Sequence, residues 1–65
     1  MREKEAENEK IKGNELMKTK EFDEAINHYN KSIELNSEEA TTYCNRALAL
    51  IRLKSKKKII KNKKF

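Results

Sequence analysis

Lys10 and Asn14 stand four residues apart, so on a helix a cation and an amide share one face, a turn apart. A carboxylate needs that combination of positive charge and fixed hydrogen-bond donors. On a chain that is 42% charged, the same pair could also belong to an ordinary solvated face. Few other side chains could do chemistry. His28 falls off the apolar stripe of its segment and is read as a surface histidine. Cys44 follows Tyr43 and has no His–acid pair to activate it, so it reads as a packed thiol rather than a nucleophile. A single cysteine allows no internal disulfide, and one Cys with one His is too few ligands for a zinc site. Tyr29 and Tyr43 recur at helical spacing and read as core. With no acid–base pair, nucleophile or phosphate loop, the residues point away from an enzyme, a cofactor or a metal.

The elements that must position Lys10 and Asn14 are helices. Proline is absent, Gly13 is the lone glycine, and Glu, Lys, Ala and Leu dominate up to Leu53. Phe22, Ala25, Ile26, Tyr29 and Ile33 make one apolar stripe, which predicts a helix over 22–35. Ala40, Tyr43, Ala47, Leu50 and Ile51 make a second stripe and predict a helix over 38–53, with Ser37 as N-cap and Glu38 and Glu39 in its first turn. Asn36 suits the end of the preceding helix. A weaker helix is expected over about 5–19, carrying Ile11, Leu16 and Met17. Gly13 in mid-helix costs about 1 kcal/mol relative to Ala, and the usual reason to keep it is close approach of a neighbouring helix. Short polar links make these helices antiparallel neighbours, an all-α fold.

An offset of 34 residues sets Lys12 on Arg46, Gly13 on Ala47, Leu16 on Leu50 and Met17 on Ile51. That period is the signature of the tetratricopeptide repeat (TPR), whose pattern runs W-x2-L-G-x2-Y, then A-x3-F, then P. This chain resembles it as Glu9-x2-Lys12-Gly13-x2-Leu16, then Ala25-x3-Tyr29, with Ser37 in the proline slot. The second copy reads Tyr43-x2-Arg46-Ala47-x2-Leu50. It departs from the family at the tryptophan, first leucine and proline slots. The resemblance covers about residues 5–53 and implies a helix–turn–helix hairpin plus a third helix, a partial α-solenoid. Gly13, Ala25 and Ala47 would be its close-contact residues, with Phe22 and Tyr29 filling the space between helices.

Within the TPR family, a group that assists heat-shock chaperones holds the chaperone's terminal carboxylate in a carboxylate clamp. That clamp reads K-x-x-x-N on the first helix, the Asn of an Asn-Arg dipeptide on the third, and K-x-x-x-R on the fifth. Lys10-x-x-x-Asn14 and Asn45-Arg46 are similar to the first two parts. The resemblance therefore implies Lys10, Asn14 and Asn45 as peptide-binding residues, three clamp positions of five. It also implies a co-chaperone-like interaction module of weak affinity in this short form, active in the cytoplasm, with the nucleus left open.

Beyond Leu53 the composition changes. Residues 1–53 hold 9 Lys/Arg against 11 Asp/Glu, a net of −2, whereas residues 54–65 hold 7 Lys and no acid, a net of +7. The 34-residue offset there sets Lys56 on Phe22 and Lys63 on Tyr29, so the next helix of the repeat lacks its aromatic anchors. A domain over 1–53 followed by a solvated, lysine-rich tail over 54–65 is expected. The tail has three readings: an extension without partner, a nuclear-import or non-specific nucleic-acid patch, and a contact with acidic membrane through Ile59, Ile60 and Phe65. Its Lys, Asn, Ile and Phe all have A/T-only codons, which suits an early-terminating or alternatively spliced product of a longer TPR protein. No run is long and apolar enough to span a bilayer, and no secretory core is present. A further reading is a structural segment whose third helix packs on another chain, including a second copy.

Overall fold

Among the described residues, helix formers without proline produce three helices: α1 (Arg2–Lys18), α2 (Phe22–Leu35) and α3 (Ala40–Asn62). The computed structural model describes the backbone over residues 2–62 and the side chains over residues 3–56. The predicted 22–35 helix is found residue for residue, and α1 begins a little earlier than expected, at Arg2. Among the described residues, no helix is long and apolar enough to cross a membrane.

α1 ends in a Schellman turn. The Glu21 N–H donates to the Leu16 carbonyl at 2.8 Å and the Lys20 N–H to the Met17 carbonyl at 3.1 Å. That geometry forces Lys20 to φ 64°, the left-handed region where a side chain is strained. The chain then reverses into α2.

α2 is the central element and packs along both α1 and α3, which touch each other at only a few points. It buries Phe22, Ala25, Tyr29 and Ser32. Ala25, Tyr29 and Ala49 form the core, with Leu16, Met17 and Ile26 packed around them. Gly13 has the reason its position demanded. A Cβ there would meet Tyr29 Cε1, Cδ1 and Cζ at 2.5, 2.7 and 2.9 Å, so only glycine lets the ring lie against α1. Nearer the start of α1, the Ser32 hydroxyl donates to the Ala6 carbonyl at 2.7 Å, and both residues are fully enclosed.

α2 ends at Asn36, which is extended (φ −148°, ψ 94°) and whose N–H donates to the Ser32 carbonyl at 2.9 Å. The Asn36 side chain accepts the Glu38 N–H at 3.2 Å, an Asx turn that holds residues 36–38 out of helix. The start of the third helix therefore moves from residue 38 to Ala40. Ser37 sits in the turn and is not the N-cap, a position that falls to Glu39.

The face of α3 that meets α2 also differs from expectation. Thr42 and Ala49, seven residues apart on one side, are fully buried, and Asn45, Arg46 and Leu53 flank them half-buried. The apolar stripe faces outward: Tyr43 is 39% exposed, Leu50 47% and Ile51 61%, with Ala40 and Ala47 also exposed. Tyr43 is thus not core, and Ala47 is not a close-contact residue. The two residues turned fully inward, Thr42 and Ala49, are small, while the bulky Tyr43, Leu50 and Ile51 stay outside. Cys44, read as packed, is exposed.

No structural break marks the change of composition at Lys54, because α3 continues through it to Asn62. The start of the lysine segment is anchored. Lys56 Nζ lies 3.4 Å from the Lys20 carbonyl and 6.0 Å from the centre of the Phe22 ring. The three readings of the tail rest mainly on side chains beyond Lys56, which lie outside the described residues.

Candidate peptide-binding site

Lys10 and Asn14 project from one face of α1 and meet α3 in register. Lys10 Nζ donates to the Thr41 hydroxyl at 3.3 Å, and Asn45 Nδ2 donates to Asn14 Oδ1 at 3.2 Å. Both contacts span 31 residues. Each helix thus contributes a pair one turn apart, and equal separations on both rungs mean that α1 and α3 run parallel. The structure brings all three sequence-predicted residues to one seam between the helices.

Asn14 is held from below as well. The Tyr29 hydroxyl donates to Asn14 Oδ1 at 2.5 Å. With Oδ1 accepting from both Tyr29 and Asn45, the amide keeps its two N–H donors for a ligand. Burial pushes the Tyr29 hydroxyl pKa up, so the phenol stays protonated and serves as a fixed donor.

Lys10 is already engaged. Its Nζ lies 3.4 Å from a Glu7 carboxylate oxygen and 3.9 Å from a Glu39 oxygen, and its side chain is mostly covered. The Thr41 hydroxyl donates to Glu39 Oε1 at 3.0 Å, tying that acid to the same group of residues. Thr41 and Glu39 were missed in the sequence, although Thr41 sits one turn before Asn45 just as Lys10 sits one turn before Asn14.

Two neighbours of the site point elsewhere. Arg46, the second half of the Asn-Arg dipeptide, donates to Asn30 Oδ1 of α2 at 2.9 Å and lies 5.5 Å from the Tyr43 ring centre. His28 is half-buried rather than a free surface residue, because its Nδ1 lies 2.8 Å from Glu9 Oε1. A carboxylate only accepts, so Nδ1 carries the hydrogen. This hydrogen bond holds the Glu9 pKa below the usual carboxylate range, against an opposing effect of burial.

A hairpin that stacks a third helix parallel to its first, with a polar seam between the two, is a helical-repeat scaffold for protein–protein interaction. The chain belongs to the TPR repeat family, whose model matches residues 13–54. It is similar to the small glutamine-rich tetratricopeptide repeat-containing protein alpha of Homo sapiens, at 49% identity over 49 residues, 75% of this chain and 16% of that protein. It is similar to the Hsp70-Hsp90 organizing protein of Triticum aestivum, at 44% identity over 48 residues, 74% of this chain and 8% of that protein. Heat shock protein STI1 of Saccharomyces cerevisiae is 49% identical over 45 residues, 69% of this chain and 7% of that protein. The similarity is thus to TPR proteins of the co-chaperone type, of whose length the chain spans only 7–16%. No solved structure gives a significant match.

Proposed function

We propose that this chain binds the C-terminal carboxylate of an extended peptide, the tail of a heat-shock chaperone, through Lys10, Asn14 and Asn45. One observation carries the reading. Asn14 and Asn45 are hydrogen-bonded across two parallel helices, with the Lys10 cation one turn away on the same seam. The cation supplies charge, and the Asn14 amide supplies donors whose orientation is fixed by Tyr29. The similarity to a protein named for organising Hsp70 and Hsp90 supports a chaperone as the source of the peptide. The chain acts as a binding module rather than an enzyme, and the cytoplasm is the compartment in which such a peptide would meet it.

Affinity is limited by the number of clamp groups. Hydrogen bonds to charged groups contribute about 1.5–3 kcal/mol each. If five positions give a Kd of about 1 μM, or −8.2 kcal/mol, three give about −2 to −5 kcal/mol, a Kd of about 0.2 mM or weaker. The test is a titration with a peptide ending Glu-Glu-Val-Asp, as free acid and as C-terminal amide, followed by NMR. The free acid is expected to bind more tightly, and Lys10→Ala to erase the difference. Equal affinity for acid and amide would overturn the reading.

A second reading rests on the outward stripe of Tyr43, Leu50 and Ile51, which suits a structural segment packed on another chain or on a second copy. Sedimentation over a wide concentration range discriminates the two. A monomer throughout removes self-association.

A further inference from the structure

We infer that Glu39 is a built-in competitor for the peptide carboxylate and holds down the affinity of the site for it. The inference rests on the carboxylate-binding reading of Lys10, Asn14 and Asn45. Two acids face the Lys10 ammonium, Glu7 from its own helix at 3.4 Å and Glu39 from the α2–α3 link at 3.9 Å. Glu7 is an i,i+3 neighbour with an exposed side chain and belongs to α1 alone. Glu39 is different in kind. It reaches Lys10 across the seam, is about a third exposed, and is held in place by the Thr41 hydroxyl, which itself receives a hydrogen bond from Lys10.

Lys10, Thr41 and Glu39 therefore form a closed triangle at the mouth of the seam, one turn from the Asn14–Asn45 bond. A carboxylate is already seated on the cation that an incoming carboxylate would need. To bind, a peptide terminus must displace Glu39 from Lys10 or share the ammonium with it, and it meets a like charge while doing so. Glu39 thus holds down the affinity for a terminal carboxylate, while an amidated terminus, which has no charge to place on Lys10, is left unaffected.

The test compares wild type with Glu39→Gln, which keeps an acceptor for Thr41 and removes the charge. Glu39→Asn is a second neutral variant, and Glu24→Gln controls for net charge far from Lys10. Helical content is matched by circular dichroism, and each protein is titrated with the free-acid and amide peptides. The expected result is a rise of about three- to fivefold in the acid-to-amide affinity ratio for both Glu39 variants, in line with the modest strength of partly exposed ion pairs, and no rise for Glu24→Gln. An unchanged or lower ratio at position 39, with Lys10→Ala still erasing the acid preference, overturns the role of Glu39 and leaves the binding reading standing. If wild type and both Glu39 variants bind acid and amide alike, and Lys10→Ala is silent, the binding reading falls and takes this inference with it.

Discussion

The ring of Tyr29 fills the place that a Cβ on Gly13 would occupy, and its hydroxyl ends on Asn14. One side chain thus joins the α1–α2 packing to the orientation of the Asn14 amide. Tyr29→Phe should cost about 1 kcal/mol in urea unfolding, the usual net value of a buried hydrogen bond. It should also weaken any acid-specific peptide binding, because Asn14 loses one of the two donors that fix it. Glu9 governs a different property. Its pKa is lowered chiefly by the hydrogen bond from His28, so the folded carboxyl titrates below its unfolded counterpart. The stability this provides is present above the unfolded carboxylate range and is lost as pH falls through the folded pKa. Thermal melts taken down through about pH 4 should therefore show a steeper loss for wild type than for Glu9→Gln. Parallel curves would mean that the pair contributes nothing to acid sensitivity.

At the level of elements, the two links obey different local chemistry. The α1–α2 link closes by a Schellman turn with a lysine in the left-handed position that glycine fills at least cost. Lys20→Gly should raise stability by about 0.5–1 kcal/mol, the relief of strain exceeding the extra chain entropy of glycine. A loss of stability would show that the Lys20 side chain matters more than its backbone. The α2–α3 link is shaped by Asn36, whose side chain captures the Glu38 N–H and delays the next helix until Ala40. That delay puts Glu39 immediately before the first turn of α3, within reach of Lys10.

The three helices form a stack with one covered and one uncovered side. α2 packs on both α1 and α3, while α3 presents Tyr43, Leu50 and Ile51 outward. Such stacks are stabilised by nearest-neighbour interfaces, so the ends contribute least. Lys56 crosses from the far part of α3 to the first link, where it meets the Lys20 carbonyl and the Phe22 ring. Lys56→Ala and truncation after Leu53 should therefore lower stability equally, by about 1 kcal/mol or less, in circular dichroism melts. A much larger effect of truncation would mean that residues beyond Lys56 also pack, and that the lysine segment is more than a solvated end.

By itself, the sequence determined the helices and the repeat. The absence of proline, the 3.6-residue period of Phe22–Ile33 and the 34-residue offset are local or periodic signals, readable without knowing any neighbour. It also determined that Gly13 needed a partner, and it brought Lys10, Asn14 and Asn45 into view through the TPR pattern. Tertiary structure alone decided which face of α3 turns inward. Periodicity shows that Tyr43, Ala47 and Leu50 share a side, but only packing against α2 shows that Thr42 and Ala49 are the buried residues and the larger side chains are not. Glu39 was beyond sequence reasoning for the same reason. Its meeting with Lys10 depends on an Asx turn and the register of two helices 31 residues apart, and contact across such a separation is a property of packing.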